Sequence, residues 1–211
     1  SNIAREEQRT RIIRELVDKL RMDVEDEAEF TSQILTEISL VKGEMMNLDY
    51  YYSKNCSEEL FKKLYQGYEK AMMDKGLLDF DDMLVLCYEL FTQRKDILAA
   101  WQNKYRYILI DEFQDTDPQQ YRIFRRIWRR QPETALLLIG DPKQAIYAFR
   151  GADIFTYMKA RGDVAAHYTL DTNWRSSPGM VGSVNRLFSL SDNPFMFREI
   201  PFLPVKAAAK N

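Results

Sequence analysis

The chain has 211 residues, 45% hydrophobic and 29% charged, the composition of an ordinary globular protein with length enough for one domain or two small ones. A formal net charge of −2 excludes a uniformly basic nucleic-acid-coating protein, so any grip on phosphate has to come from a local cluster of Lys and Arg. Cys56 and Cys87 lack CxxC spacing and read as small apolar residues in a reducing compartment, and no apolar run of about 18 residues or signal-peptide pattern appears, so a cytoplasmic protein without membrane spans is expected.

From Ala4 to about Leu40 the sequence is charged and free of glycine, with Ile12, Ile13, Leu16, Val17 and Leu20 near helical spacing. That predicts helix, and the heptad is not sustained long enough for a coiled coil. A second helical block is predicted from about Ser57 to Lys75, with Leu60, Phe61, Leu64, Tyr65 and Tyr68 along one side and Gly76 as its stop. Such a stripe is expected to be core rather than a base-stacking surface. Asp79 should cap a third helix over Asp81–Phe91, with Phe80, Met83, Leu84, Leu86 and Cys87 facing inward. Asp79, Asp81 and Asp82 suit the free N–H groups of a helix start better than they suit a metal cage.

From Lys104 the period changes. Three apolar runs, Tyr107–Ile110, Ala135–Ile139 and Ala166–Leu170, alternate with helical stretches at about Pro118–Arg130, Asp153–Ala160 and Pro178–Phe188. The alternation predicts an α/β fold with a parallel sheet of about three strands and flanking helices, preceded by an all-helical segment. Asp117-Pro118-Gln119-Gln120 spells a capped helix start with proline at its first position, and Ser177-Pro178 does the same. Arg122, Arg125, Arg126, Arg129 and Arg130 gather around Trp128, which suits either a contact with DNA backbone or a subunit, or a solvated helix face. After Phe188 no element-length periodicity remains, and Pro194, Pro201 and Pro204 suit a connection.

The most telling stretch is the first of the apolar runs, which leads straight into Asp111-Glu112. A buried parallel strand ends in this way when its carboxyl edge faces a ligand, and paired carboxylates there suit Mg²⁺ and an attacking water at a nucleoside triphosphate. The segment Asp111-Glu112-Phe113-Gln114-Asp115-Thr116-Asp117 resembles the Walker B segment of superfamily-one DNA helicases of the UvrD, Rep and RecB kind. Gly140 to Asp153 resembles that family's third motif, Thr172 to Ser177 its fourth, and Leu78 to Leu84 a helix signature of the same group. Four signatures in one order are far more specific than any one. Up to about Asp115 the text suits a UvrD-like or AddA-like member, and from Thr116 onward it resembles the RecB branch.

The resemblance implies roles. Asp111 would hold Mg²⁺ through water, Glu112 would orient the hydrolytic water, and Gln144 would sense the γ-phosphate of ATP. Arg175 would touch that phosphate, Trp174 would stack on adenine, and Tyr147, Phe149 and Arg150 would meet single-stranded DNA. By the same token residues 1–103 would be a helical subdomain inserted in the first motor domain, 104–190 part of a RecA-like ATP-binding domain, and 191–211 a truncated connection. The activity implied is 3′-to-5′ DNA translocation driven by ATP and Mg²⁺ on single-stranded and duplex DNA, with RecC- and RecD-like subunits as partners. No GxxxxGK[ST] loop occurs, so the expectation is an excised middle piece that neither hydrolyses ATP nor unwinds DNA alone. Two other classes stay open: a degenerate module that docks DNA or protein without catalysis, and a P-loop ATPase with no DNA role.

Overall fold

A computed structural model of the chain describes residues 2–129, 131–145, 153–195 and 197–208. Contacts divide it into two units, one made of Ser1–Ile108 with Asp117–Leu136 and the other of Leu109–Thr116 with Leu137–Asn211.

The first unit is helical. The charged N-terminal stretch forms two helices, α1 (Glu6–Lys19) and α2 (Glu27–Gly43), because Asp26 restarts the chain by accepting the Glu29 N–H. Helix α3 (Glu58–Asp74) starts at the Ser57 cap, and the chain leaves it through Gly76 at φ +62°. Ile12, Ile13, Ile34, Ile38, Phe61, Leu64 and Tyr68 form the core of this unit, so the aromatic side of α3 is core as its spacing predicts. Helix α4 (Phe80–Gln93) begins in a reciprocal capping box between Asp79 and Asp82. Two of its expected inward residues face out: Phe80 is 66% and Leu86 48% exposed. The buried side of α4 instead carries Leu84, Cys87, Tyr88 and Phe91, which pack with Leu98, Ile123 and Ile127.

Helix α5 (Lys95–Gln102) was not predicted, since only Arg94 separates it from α4 and no side chain caps it. Helix α6 (Pro118–Trp128) has the predicted capping box between Asp117 and Gln120. Its basic face is partly used inside the unit. Arg122 donates to the Gly43 carbonyl at the end of α2 and pairs with Glu44 at 3.1 Å, while Arg125 lies 5.5 Å from the centre of the Tyr121 ring. Neither a purely solvated face nor a free basic stripe describes those two side chains.

Strands β1 (Tyr107–Ile110) and β2 (Ala135–Leu138) form a two-stranded sheet. Ala135 N–H donates to Arg106 and Ile139 N–H to Ile110, and since both numbers rise together the pair is parallel. The expected third strand at Ala166–Leu170 does not form. Tyr168 and Leu170 are 93% and 90% exposed, and pairing begins two residues later, at β3 (Thr172–Asn173), in a separate parallel sheet with β4 (Lys206–Ala207). Alternating apolar residues make a strand only where another backbone accepts their hydrogen bonds, and Lys206–Ala207 offers it to Thr172–Asn173.

In the second unit, Ser177 caps α8 (Pro178–Phe188) as predicted, while Asp153, expected as the first residue of a helix, is instead the cap of α7 (Ile154–Asp163). The stretch expected as a patternless connection carries β4. The Asn185 side chain on α8 bonds both the carbonyl and the N–H of Val205, and Phe188 stacks on Phe195 and Phe202.

Candidate active site

The aliphatic run of β1 stops at Ile110, and the next two residues are the carboxylates Asp111 and Glu112, both exposed. Glu112 adopts a left-handed conformation, φ 51° and ψ 37°, which costs an L-residue about 1–2 kcal/mol. Strain of this kind persists only where the surroundings over-determine it. Here the Glu112 N–H donates to Asp111 Oδ1 at 2.9 Å, and its carbonyl accepts the Asp115 N–H that closes the short 3-10 turn Phe113–Asp115. The turn is anchored by Phe113, buried at 1% exposure, whose N–H donates to the Ile139 carbonyl just past β2.

The residue that joins the two strand ends is Gln114. Its side chain is buried, and its Oε1 accepts the Asp141 N–H at 3.1 Å. A backbone N–H can only donate, so this contact fixes which way the amide points and leaves Nε2 to face Glu112 Oε2, at 3.4 Å. Gly140 makes the approach possible, because a Cβ there would lie 2.7 Å from Gln114 Oε1 and 3.2 Å from the Phe113 nitrogen. Asp141 continues the network: its carboxylate accepts from Lys143 Nζ at 2.7 Å, from the Lys143 N–H at 3.0 Å and from Gln144 Nε2 at 3.2 Å. Burial alone would push this carboxyl up, but the Lys143 ammonium and N–H together with Gln144 hold it below its ordinary range.

Glu112 and Gln144 thus belong to one hydrogen-bonded chain, through Gln114 and Asp141. Sequence reading singled out both ends and missed Gln114, although a glutamine two residues beyond the acid pair was the available signal. Arg175 and Trp174 follow β3. Asn173 Oδ1 accepts the N–H groups of Arg175 and Ser176 at 2.9 and 2.8 Å, turning the chain toward α8, with Arg175 exposed and Trp174 81% exposed. No hydrogen bond among the described residues joins either one to Glu112 or Gln144, and β3 does not share a sheet with β1 and β2. The expected parallel sheet of about three strands is therefore corrected, among the described residues, to two separate two-stranded sheets. Tyr147, Phe149 and Arg150 lie outside the described residues.

Asp111 suits the Mg²⁺ role expected of it. Mg²⁺ keeps several waters and binds through one or two carboxylates plus phosphate oxygens, and Asp111 is an exposed carboxylate with one oxygen occupied by a neighbouring N–H. No helix among the described residues is long and apolar enough to cross a membrane.

Residues 1–165 match the model of the UvrD/REP helicase N-terminal domain. The chain is 71% identical over 139 residues to the RecB subunit of the Escherichia coli RecBCD enzyme, which takes in 65% of this chain and 12% of that protein. It is 47% identical over 150 residues to the corresponding RecB of a Buchnera aphidicola strain, covering 71% and 13% of the two chains. To the putative ATP-dependent DNA helicase YjcD of Bacillus subtilis it is 35% identical over 165 residues, 77% of this chain and 22% of that one. The chain therefore spans less than a quarter of the length of these relatives. The family match extends over most of the sequence and contains the Asp111-Glu112 strand end and the Gly140–Gln144 turn, so the chain belongs to the UvrD/Rep helicase family.

Proposed function

We propose that the chain is the part of an ATP-dependent 3′-to-5′ DNA helicase, of the RecB kind, that carries the water-activating carboxylate and the phosphate-sensing turn of the first motor domain. The observation that carries this is the hydrogen-bonded chain from Glu112 through Gln114 and Asp141 to Gln144, because it ties a strand-end base to an exposed amide on the next strand's turn. Asp111 would hold Mg²⁺, which when bound would supply neutralisation of phosphate charge. Glu112 accepts a hydrogen bond from the attacking water and takes its proton, Gln144 donates to the terminal phosphate, and Arg175 presents its planar fork to the same group. Trp174, with most of its ring in solvent, offers a face to adenine. Tyr147, Phe149 and Arg150 supply the stacking and backbone contacts to single-stranded DNA, where each stack contributes ~1–3 kcal/mol.

In this reading residues 1–103 are the inserted helical subdomain, 104–190 belong to a RecA-like ATP-binding domain, and the intact protein works with RecC- and RecD-like subunits on DNA ends. The deciding experiment is Glu112→Gln in the intact helicase. It should keep MgATP and single-stranded DNA binding while lowering DNA-stimulated ATP turnover by at least about 100-fold, the scale of a lost general base. A docking module would be indifferent to the change, and parental turnover in the variant would end the proposal.

A further inference from the structure

We propose that Gln114 is a positioning residue that holds Glu112 and the Gln144 turn in one register, so that the water-orienting carboxylate and the phosphate-sensing amide respond to the nucleotide together. This rests on the roles given to Glu112 and Gln144 above.

A primary amide at 4% exposure is costly unless both of its ends are satisfied, and Gln114 satisfies them on two different segments. Its oxygen is committed to the Asp141 N–H, so its NH₂ has Glu112 as its partner. The 3.4 Å separation is long for a donor facing a carboxylate, and contacts of this sort shorten when the substrate arrives. Gly140 adds an independent mark of the same design. A side chain there would collide with Gln114 Oε1 and with the backbone nitrogens of Phe113 and Gln114, so the turn approaches Gln114 as closely as a backbone can. Asp141 then passes the position on, since one carboxylate holds both Lys143 and Gln144. Movement of Gln144 toward a phosphate pulls on Asp141, whose N–H is fixed to Gln114, whose NH₂ faces Glu112.

The test uses the intact helicase with MgATP and oligothymidylate, measuring ATP turnover against ATP concentration. Gln114→Met removes both hydrogen bonds at similar volume and should lower kcat about 10- to 100-fold with KM for ATP changed less than about 3-fold, the signature of a misplaced group rather than lost binding. Gln114→Glu keeps an acceptor for Asp141 N–H but sets a second carboxylate beside Glu112. It should lower kcat by a similar factor with KM for ATP little changed, because like charges displace the Glu112 carboxylate. Gly140→Ala, which leaves Gln114 itself unaltered, should reproduce the loss of kcat. If Gln114→Met does not fold, the other two variants decide by the same two readouts. Parental kcat in the Gln114 variants, beside a Glu112→Gln control that has lost turnover, would reduce Gln114 to a loop staple and overturn the proposal while leaving Glu112 its role. Parental turnover in the Glu112→Gln control would overturn both.

Discussion

The helical unit and the strand-edge unit treat charge in opposite ways. In the first, Lys42 is 4% exposed and its ammonium lies 2.9 Å from Asp79, 2.6 Å from Asp82 and 2.8 Å from Glu69, while Arg9 and Tyr68 close the cluster from α1 and α3. In the second, Asp111, Glu112, Gln144 and Arg175 all face solvent. The most displaced titrations of the helical unit belong to groups outside the candidate site: against the cost of burial, the surrounding carboxylates hold Lys42 far above its ordinary value, and burial with the Asp79 charge does the same to Tyr68. A shifted pKa marks a site only where a cleft or a reacting group accompanies it, and structural ion-pair networks shift pKa values just as strongly.

The largest effect separating the two units should come from Lys42→Met. Removing one partner leaves Asp79, at 0% exposure, as a buried carboxylate without its counter-ion, a change that typically costs about 3–5 kcal/mol. Urea unfolding followed by helical circular dichroism should show that loss, whereas Glu112→Gln, at an exposed position, should leave the midpoint within about 0.5 kcal/mol of the parent. A Lys42→Met protein as stable as the parent would mean that the cluster is solvated and that the contrast between the units is false.

A second contrast sits within the cluster. Burial alone would raise the Asp79 carboxyl, but the Lys42 ammonium, the Asp82 N–H and the Tyr68 hydroxyl outweigh it and hold it below its ordinary value of 3.8. Asp79 therefore contributes stability that is present above that value and lost as pH falls through the lower folded one. Two residues along, Asp81 is shifted the other way. Burial raises it first, Ser39 and Arg9 oppose, and the neighbouring Asp79 charge raises it further, so its protonated form is favoured in the folded chain and acid strengthens this position. Asp79→Asn should lower stability near neutral pH by about 2–3 kcal/mol and flatten the acid-side loss. Asp81→Asn should stay within about 0.5 kcal/mol of the parent or exceed it, since it removes a partly buried charge whose desolvation outweighs its contacts with Ser39 and Arg9. Equal costs for the two substitutions across a pH series would show that the opposed shifts have no energetic meaning.

These contrasts also mark what the sequence could tell. Features that a short stretch decides by itself were legible. Asp117-Pro118-Gln119-Gln120 and Ser177-Pro178 spell their caps, Gly76 its left-handed stop, and Ile110-Asp111-Glu112 a strand that ends in acids. What needs a partner far along the chain was not. Lys42 and Asp79 are 37 residues apart and neither carries a local signal of the other. Thr172–Asn173 finds its pairing strand at Lys206–Ala207, within a stretch that reads as a connection, while the better strand pattern at Ala166–Leu170 finds none. Gln114 gave no hint that its amide reaches Asp141, 27 positions on. Secondary structure follows local chemistry, but burial and hydrogen-bond partners follow topology, and the candidate site is made of the latter.

A smaller effect than the losses at Lys42 and Asp79 sharpens the comparison most, because it sets the same backbone conformation in both units side by side. Arg21, Met45 and Gly76 each have positive φ at a helix end, and in all three the residue's own N–H bonds the carbonyl three back while the next N–H reaches five back, to Val17, Val41 and Met72. These are matched left-handed helix stops, of which only one carries glycine. Glu112 has the same φ of 51° as Arg21 but ends no helix; it stands between β1 and the 3-10 turn Phe113–Asp115. Arg21→Gly should raise stability by about 0.5–1 kcal/mol, since glycine takes this conformation without a clash between Cβ and carbonyl, and it should leave DNA-stimulated ATP turnover unchanged. Glu112→Gly should gain a similar amount in urea and lose turnover as fully as Glu112→Gln. If Glu112→Gly instead lowers stability, the left-handed turn at the strand end is held by contacts of the carboxylate itself, and the strain there is structural, as it is at Arg21.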